Sequence, residues 1–522
     1  MKKIILFLFI IFIGITARAN ETRAVWLTTI GGIDWPHSHG SYTQKEEFIS
    51  ILDQLSQAGI NTVLLQTRVR ATTIFPSDLE PWDGCITGYP GTAPDYDPLA
   101  FAIEECHKRG MKLHAWIVSI PIGKWNGAGC RNLRSSHPKL IKKIGEDGFM
   151  NPEAAGTADY IAAFCREVTQ KYDIDGIHLD YIRYPDTWGK IRDRDDARQN
   201  ITRIVEAVHH EVKALKPWVQ LSCSPVGKYA DTKRQRSSGW NARDIVCQDA
   251  ALWMQKGLMD AIYPMMYFRD QNFYPFAIDW KERSNGRIVA PGLGIYLMHR
   301  NEGNWPLSDI TREMYVLRQY GMGITMFRSK FLTDDTKGIY KFTEHFNSTP
   351  ALQQPMTWYN VTPPPAPEQI SYADGVLSWE KIDGDVNYNI YCSETSPVDT
   401  KNPENLVMAE YSNTSVTLPP LKTAQYFTVT AIDRFGNESE VTMPRVSPQG
   451  TAIPVKPIEI TRFMDSIAPN QMIIIRSIQG LSLFMGYKNQ LPQLSPGHYK
   501  VFSQGKKMKN RHLLGWVEVP MK

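Results

Sequence analysis

The segment that decides the fold lies in the first half of the chain and reads Asp173-Ile174-Asp175-Gly176-Ile177-His178-Leu179-Asp180-Tyr181-Ile182-Arg183-Tyr184-Pro185. Alternate side chains of a β-strand point to opposite faces. One face of this segment carries Ile177, Leu179 and Tyr181 and is suited to packing under helices. The other face carries His178 and Asp180, and a buried carboxylate is costly unless it is paired. The segment therefore predicts a core strand, Asp175–Tyr184, that delivers Asp180 to a functional site.

Seven other short apolar runs accompany this strand, and amphipathic helical patterns separate them. The eight candidate strands are Ala24–Thr29, Thr62–Thr67, Lys112–Ser119, Gly176–Ile182, Val219–Ser224, Asp260–Tyr267, Ile288–Gly294 and Gly323–Arg328. The clearest helical patterns are Lys45–Ala58, Pro98–Arg109, Ala158–Gln170, Ala197–Lys216 and Asp309–Tyr320. Alternating strands and helices imply parallel strands, and eight units is the count of an α/β fold of the (β/α)8 TIM-barrel type. The alternative is an open doubly wound sheet, but Gly31-Gly32-Ile33-Asp34-Trp35-Pro36 lacks its phosphate-binding glycine pattern.

The chain beyond the barrel has a different composition. A proline-rich stretch that includes Pro363-Pro364-Pro365 predicts a stiff extended linker. Short period-two strands follow, among them Tyr426–Asp433, and predict a β-sandwich. The predicted division is a signal peptide over 1–19, the barrel over 20–349, the linker over 350–365, the β-sandwich over 366–446 and a small β-rich module over 450–522.

The first residues form a targeting signal. Lys2 and Lys3 precede an apolar run from Ile4 to Ile15, and Ala17-Arg18-Ala19 fits the pattern that signal peptidase cleaves. The run is shorter than the roughly 20 residues that span a bilayer. We therefore expect cleavage after Ala19, a periplasmic or secreted protein, and no stable membrane anchor.

The charge and the cysteine content do not favour a nucleic-acid-binding protein or a cysteine-ligated metal site. The formal net charge is +4, and removing the signal peptide leaves +1, which gives no support to nucleic-acid binding. The seven cysteines show no metal-ligand spacing. An exported location permits a disulfide bond, but the sequence does not indicate which pair would form it.

Several strands repeat the alternation seen around Asp180. If their polar faces line the barrel interior, its upper rim holds Arg68, His114, Trp116, His178, Asp180, Tyr263 and Tyr267. Active sites of such barrels lie at the carboxyl ends of the strands. Aromatic rings suit the apolar faces of sugars, while Arg, His and Tyr donate hydrogen bonds to hydroxyl groups. The pattern therefore predicts a sugar-binding cleft, to which we also assign Arg183 and Tyr184.

Glycoside hydrolysis uses two carboxyl groups, of which one is protonated and the other ionised. A nearby Arg68 or Arg183 would favour ionised Asp180, which suits a nucleophile or a stabilising carboxylate. No glutamate ends a candidate strand. The candidates for the acid are Asp270, which is favoured because it follows the sixth strand, then Asp231 and Asp34. We expect no metal and no cofactor, because no motif for either is present.

The chain resembles the glycosyl-hydrolase-like family 10 of bacterial proteins. The residues that carry the resemblance are Thr22–Thr28, Gly59–Val63 with Gln66-Thr67-Arg68, Asp175–Pro185 and Tyr263–Tyr267. This likeness covers about residues 20–345 and implies a TIM-barrel hydrolase of bacterial glycans. Residues 366–445 resemble a fibronectin type III module. The fourth strand is also similar to that of the alpha-amylase superfamily, which implies that Asp180 is a nucleophile and that His178 replaces an arginine.

Two functions follow from these features. The first is an exported glycoside hydrolase that cleaves a cell-wall glycan or another polysaccharide. The second is a non-catalytic glycan-binding or scaffold protein on the same barrel, which the lack of a strand-end glutamate favours. In both cases the partner is an oligo- or polysaccharide.

Overall fold

The computed structural model describes most of the chain. The described residues are 20–237, 239–359, 361–373, 375–418, 426–441, 458–465, 467–468, 472–477, 482–491, 494, 497–504 and 511–519. The expected signal peptide over 1–19 lies outside them. Within the described residues, no helix has the length and apolar character needed to cross a membrane.

Eight parallel strands form the centre of the larger domain. They are β1 (Arg23–Leu27), β2 (Thr62–Arg68), β3 (Lys112–Val118), β4 (Gly176–Asp180), β5 (Gln220–Cys223), β6 (Ala261–Ile262), β7 (Ile288–Val289, continued as Gly292–Leu293) and β8 (Ile324–Met326). The first part of β7 pairs with β6, and its continuation pairs with β8. The sheet therefore begins and ends on the same strand, so it closes into a TIM-barrel-like fold, as the alternating pattern predicts.

A helix follows each strand. The eight helices are α1 (Ser41–Gln57), α2 (Pro98–His107), α3 (Thr157–Lys171), α4 (Arg194–Leu215), α5 (Ala250–Gln255), α6 (Tyr274–Glu282), α7 (Leu307–Gln319) and α8 (Ile339–Phe346). Local sequence fixes several of their starts. Asp97 accepts hydrogen bonds from the first-turn amides of α2, and Asp193 does the same for α4. Such caps satisfy amides that have no partner inside the helix.

Alternate side chains of each barrel strand point to two different hydrophobic cores, one under the helices and one inside the barrel. Outward residues such as Val63, Ile177 and Leu221 pack under the helices in one large cluster. Inward residues form a second, smaller cluster inside the barrel, which includes Trp26 and Tyr263. The polar faces that the sequence assigned to the interior therefore do lie there.

The first ten residues of the expected linker pack against the barrel instead of extending away from it. The amide of Glu21 donates to the carbonyl of Leu352 at 2.8 Å. Trp358 Nε1 and Tyr359 Oη donate to Asp260 at 2.9 and 3.0 Å, and Trp358 contacts the inner cluster. Because Asp260 immediately precedes β6, this segment covers the amino ends of the strands.

Two three-stranded antiparallel sheets follow. One contains Ser371–Ala373, Val376–Ser378 and Ser415–Thr417, and the other contains Val386–Ser393, Leu406–Tyr411 and Tyr426–Asp433. Both contribute to one apolar cluster around Trp379 and Tyr388. The β-sandwich expected over 366–446 and its likeness to fibronectin type III stay predictions.

This pair of sheets contacts the amino end of the barrel through ion pairs. Lys112, the first residue of β3, pairs with Glu410 and lies 3.5 Å from Asp175. Arg434 pairs with Asp173 at 2.8 Å. The surrounding positive charges hold the pKa of the buried Asp175 well below its usual range, although burial alone would raise it. The second domain is thus attached at the end of the barrel opposite the carboxyl ends of the strands.

The described C-terminal residues form a five-stranded sheet with one short helix. Its strands are Ile458–Glu459, Met472–Ser477, Ser482–Tyr487, Gly497–Gln504 and Arg511–Val519, and the helix is Ile460–Asp465. This agrees with the expected β-rich module. No disulfide bond joins the six buried thiols of Cys85, Cys106, Cys130, Cys165, Cys223 and Cys247, so the pairing that the sequence left open does not occur among them.

Candidate functional site

Asp180 is the last residue of β4 and lies half-buried at the carboxyl end of the barrel. Its Oδ2 accepts a hydrogen bond from Trp116 Nε1 at 3.1 Å. Its Oδ1 accepts from Ser224 Oγ at 2.7 Å and from the amide of Tyr181 at 2.8 Å. Three donors on three different segments therefore fix the orientation of one carboxyl group at the mouth of the barrel.

Burial and hydrogen bonds act on the pKa of Asp180 in opposite directions. Burial raises the pKa of Asp180, while the hydrogen bonds from Ser224 and Trp116 and the charge of Arg183 lower it less than burial raises it. Arg68 forms a buried salt bridge with Glu80 at 2.6 Å and donates to the carbonyl of Ser119 at 2.9 Å. Of the two arginines expected to favour ionised Asp180, Arg68 is instead paired with Glu80, and Arg183 is the one whose charge lowers the pKa of Asp180.

A layer of buried side chains supports the site from below. Trp26 Nε1 donates to His178 Nε2 at 3.2 Å, so the proton of the neutral ring is on Nδ1, 3.0 Å from Ser222 Oγ. Burial lowers the pKa of His178 well below its usual value and that of His114 to about 4. Tyr263 packs edge-on against His178 at 5.3 Å between ring centroids. Arg68, His114, His178 and Tyr263 are all at most 1% exposed. The sequence predicts that these four bind substrate, whereas the structure buries them beneath the site.

Aromatic rings surround the mouth above this layer. Tyr267, Tyr296 and Phe327 pack together with ring centroids 5.4 to 5.7 Å apart. Burial and the charge of Asp180 raise the pKa of Tyr267 well above its usual value. The cleft is therefore lined by half-buried rings, as expected for Tyr267.

A second aromatic group follows Asp180 directly. Tyr181 has a φ of 54°, which is uncommon for a residue other than glycine. Its ring lies 3.9 Å from the guanidinium carbon of Arg183, and the ring of Trp240 lies 5.2 Å from the same carbon. Trp240 is 44% exposed, so this stack presents an indole ring to solvent near the carboxyl ends of the strands.

The three candidates for the acid are held by other groups. Asp34 is buried and pairs with Arg328, Asp231 lies 3.6 Å from Lys228, and the exposed Asp270 lies 3.5 Å from Arg312. Burial raises the pKa of Asp34, although Arg328 opposes this effect. None of the three shares a hydrogen bond with Asp180 among the described contacts. The position of Asp270 at the surface does not favour it as the acid. Within the described part of the chain, no three His, Cys, Asp or Glu side chains are arranged to hold a metal ion.

Comparison with models of known protein families identifies the family to which the chain belongs. The model of the family described as "Glycosyl hydrolase-like 10" matches residues 21–197 and 191–297. The match contains β1 to β7 together with Asp180 and covers more than half of the chain. The chain belongs to the glycosyl hydrolase-like 10 family. This confirms the resemblance found in the sequence.

Two curated relatives carry related names. The chain is 29% identical over 446 residues to "Glycosyl hydrolase YngK" of Bacillus subtilis (strain 168), covering 77% of this chain and 85% of that protein. It is 30% identical over 290 residues to "Glycosyl hydrolase DigH" of Escherichia coli (strain K12), covering 48% of this chain and 66% of that protein. Among solved structures, alpha-L-fucosidase isoenzyme 2 from Paenibacillus thiaminolyticus is 14% identical with a TM-score of 0.44, over 63% of this chain and 49% of that chain.

In this family member, Arg183 and Tyr184 do not lie open in the cleft as the sequence assignment expected. β4 ends at Asp180, and the chain changes direction at Tyr181, which has a positive φ. Arg183 is 3% exposed, and Tyr184 is buried with its hydroxyl 3.1 Å from Asn200 Nδ2 on α4. Ser224 was the missed contact of Asp180, and its place on the inward face of the fifth strand was the signal for it.

The hydrogen bond from Ser224 makes the pH dependence of the site testable. Since this bond lowers the pKa of Asp180, the Ser224→Ala variant should raise it further. A hydrogen bond to a charged group contributes roughly 1.5 kcal/mol, so we expect kcat/KM to fall about tenfold. We also expect the acidic limb of the pH–rate profile to move to higher pH. The Ser222→Ala variant changes a matched serine that bonds to His178 instead, so its limb should stay in place. An unchanged limb in Ser224→Ala would remove Asp180 as the titrating group.

Proposed function

We propose that this protein is an exported glycoside hydrolase that cleaves O-glycosidic bonds of a bacterial cell-wall glycan or another polysaccharide. The observation that carries the proposal is the fixed carboxyl group of Asp180 at the mouth of the barrel. Membership of the glycosyl hydrolase-like 10 family supports a glycosidase-type activity. Both relatives described above are named glycosyl hydrolases, which agrees with it.

Asp180 acts as the nucleophile or as the carboxylate that stabilises the transition state. That state has oxocarbenium character, so a negative charge beside the reacting carbon lowers its energy. Trp116, Ser224 and the Tyr181 amide hold both oxygens in place before substrate arrives, so no reorientation is needed during the reaction. Burial makes this charge more effective than it would be in water.

The rings around Asp180 suit a sugar. Tyr267, Tyr296 and Phe327 form a half-buried wall, and Trp240 offers an exposed indole face on the stack with Arg183. Aromatic faces pack against the apolar faces of pyranose rings, and the tyrosine hydroxyls pair with sugar hydroxyls. The cleft therefore fits a carbohydrate chain that lies across the carboxyl ends of the strands.

A specific observation favours the second function, a glycan-binding or scaffold protein. Each predicted acid is held by another cation, namely Asp34 by Arg328, Asp231 by Lys228 and Asp270 by Arg312. Hydrolysis requires a proton donor for the leaving oxygen. A binding protein needs the same aromatic cleft but no donor.

Cleavage assays decide between the two functions. The mature protein is incubated with peptide-free wall glycan strands and, separately, with α- and β-glucans, and new reducing ends are counted. We expect reducing ends from at least one of these polymers. Binding to a polymer without any new reducing ends would reject the hydrolase and support the binding protein.

The proposed location is the periplasm or the exterior, with cleavage after Ala19. This part of the proposal depends on the charged, apolar and small-residue pattern of residues 1–19. N-terminal sequencing of the protein recovered from a bacterial host checks it. A mature chain that starts at Asn20 is the expected result, and an intact Met1 in the exported fraction would contradict it.

A further inference from the structure

An insertion between β3 and α3 begins just after the carboxyl end of β3, and we name residues 121–150 the basic arm. It consists of the strands Pro121–Lys124, Ile141–Ile144 and Asp147–Met150, which form a small antiparallel sheet, with the helix Ala128–Ser136 between the first two. None of these elements is needed to close the barrel. Their composition therefore indicates a separate role.

The basic arm has a strong excess of positive charge. Its thirty residues contain six lysines and arginines but only two acidic residues, a net charge of +4 that equals that of the entire 522-residue chain. Lys124 pairs with Asp147 at 3.0 Å. Among the described residues, none of the other five, which are Arg131, Arg134, Lys139, Lys142 and Lys143, forms a salt bridge with a carboxylate. The charge of the arm is therefore not neutralised by the protein.

Aromatic rings hold several of these cations. The guanidinium of Arg134 lies 4.1 Å from the ring centroid of Trp125, and Lys143 Nζ lies 5.4 Å from the same ring. Lys142 Nζ lies 3.9 Å from the ring centroid of Trp188. A cation above an aromatic face is positioned but keeps its full charge. The arm thus combines ordered positive charges with rings that can pack against sugars.

The basic arm is joined directly to the site of Asp180. The amide of Ser119, two residues before the arm, donates to the carbonyl of Asp180 at 2.9 Å. Trp188, which Lys142 covers, belongs to the loop after β4. On the other side, Gly123 packs against the exposed Arg70, which follows β2. A polymer bound with one sugar at Asp180 would therefore meet the arm with neighbouring sugars.

We propose that the basic arm binds the carboxylate groups of an acidic polysaccharide whose chain passes Asp180. This inference rests on the proposed function for the position of the chain, and it adds the charge of the substrate. Lysine and arginine side chains attract carboxylates, and unpaired cations at the mouth raise the local concentration of an anionic chain. Neutral glucans lack the group that the arm recognises.

The test compares one polysaccharide in two charge states. The probes are peptide-free wall glycan strands, which carry carboxylates, and the same strands with those groups converted to neutral amides. Binding is measured by calorimetry on the full chain carrying Asp180→Asn, so that turnover does not consume the probe. The variant adds Lys142→Gln and Lys143→Gln, which remove one cation from each aromatic stack. The matched control adds Lys124→Gln, whose lysine is already paired with Asp147.

We expect the double lysine variant to bind the charged strands about tenfold more weakly, and the Lys124→Gln control to stay within about twofold. Affinity for the amidated strands should not change, and higher salt should weaken only the binding of charged strands. Equal affinity for both probes, or no loss in the double variant, overturns the inference. Melting curves of both variants check that the fold is intact. If the native chain binds the charged strands selectively but does not cleave them, the hydrolase proposal is rejected and the role of the basic arm is kept. If it cleaves the strands but binds both probes equally well, the role of the basic arm is rejected and the hydrolase proposal is kept.

Discussion

The Asp180→Asn variant is expected to lower kcat about a thousandfold, which is within the range for losing a group that acts on the reacting atoms. Asparagine keeps the size of the side chain and its acceptor oxygen, so the hydrogen bond from Trp116 can persist. The negative charge that stabilises the transition state is lost. Reducing-end formation from a cleaved polymer measures kcat, and the melting temperature checks the fold.

Two further results sharpen this experiment. Asp270→Asn changes an exposed residue that pairs with Arg312, and we expect it to keep near-native activity. A loss of similar size in Asp270→Asn would restore that residue as the acid. If Asp180→Asn retained more than about a tenth of the native kcat, Asp180 would have no direct part in the chemistry.

The Arg68→Ala variant is expected to cost about 3 to 5 kcal/mol of folding free energy, because it leaves a buried charge without its partner. The side chains of Arg68 and Glu80 are 2% and 0% exposed, and the carboxylate also accepts from Tyr160 at 3.2 Å. Arg68 additionally bonds to the carbonyl of Ser119, whose amide holds the main chain of Asp180. The melting temperature should therefore fall by about 10 °C, and activity should fall with it.

Two comparisons isolate the buried pair. Replacing both partners, as Arg68→Met with Glu80→Met, removes the unpaired charge and should recover much of the lost stability. Lys124→Ala breaks an exposed ion pair with Asp147 and should cost less than about 1 kcal/mol. A melting temperature of Arg68→Ala close to that of the native chain would show that the pair does not stabilise the barrel.

Strand alternation made much of the barrel predictable. The two-residue period assigns Trp116, His178 and Asp180 to one interior from two short runs, and they do meet there. The period depends only on extended backbone geometry, so it holds wherever the strand is regular. It no longer applies beyond Asp180, where β4 ends and Tyr181 has a φ of 54°.

Other features could not be read from local patterns. Glu80 lies in a loop twelve residues after Arg68, and no period predicts that a loop carboxylate returns to a buried guanidinium. The expected linker likewise contains an aromatic pair, Trp358 and Tyr359. Both side chains donate hydrogen bonds to Asp260, nearly a hundred residues earlier in the chain. The proline content of this segment gave no information about what it would contact.

The second domain is attached at the end of the barrel opposite the carboxyl ends of the strands. Lys112 and Asp175 stand at the starts of β3 and β4, so Glu410 and Arg434 contact the rear of the barrel. Asp180 is at the front, separated from that rear by the length of a strand, about 20 Å. The second domain is therefore held at the end of the barrel opposite the mouth, so a sugar unit bound at Asp180 lies a strand length away from the ion pairs that attach it.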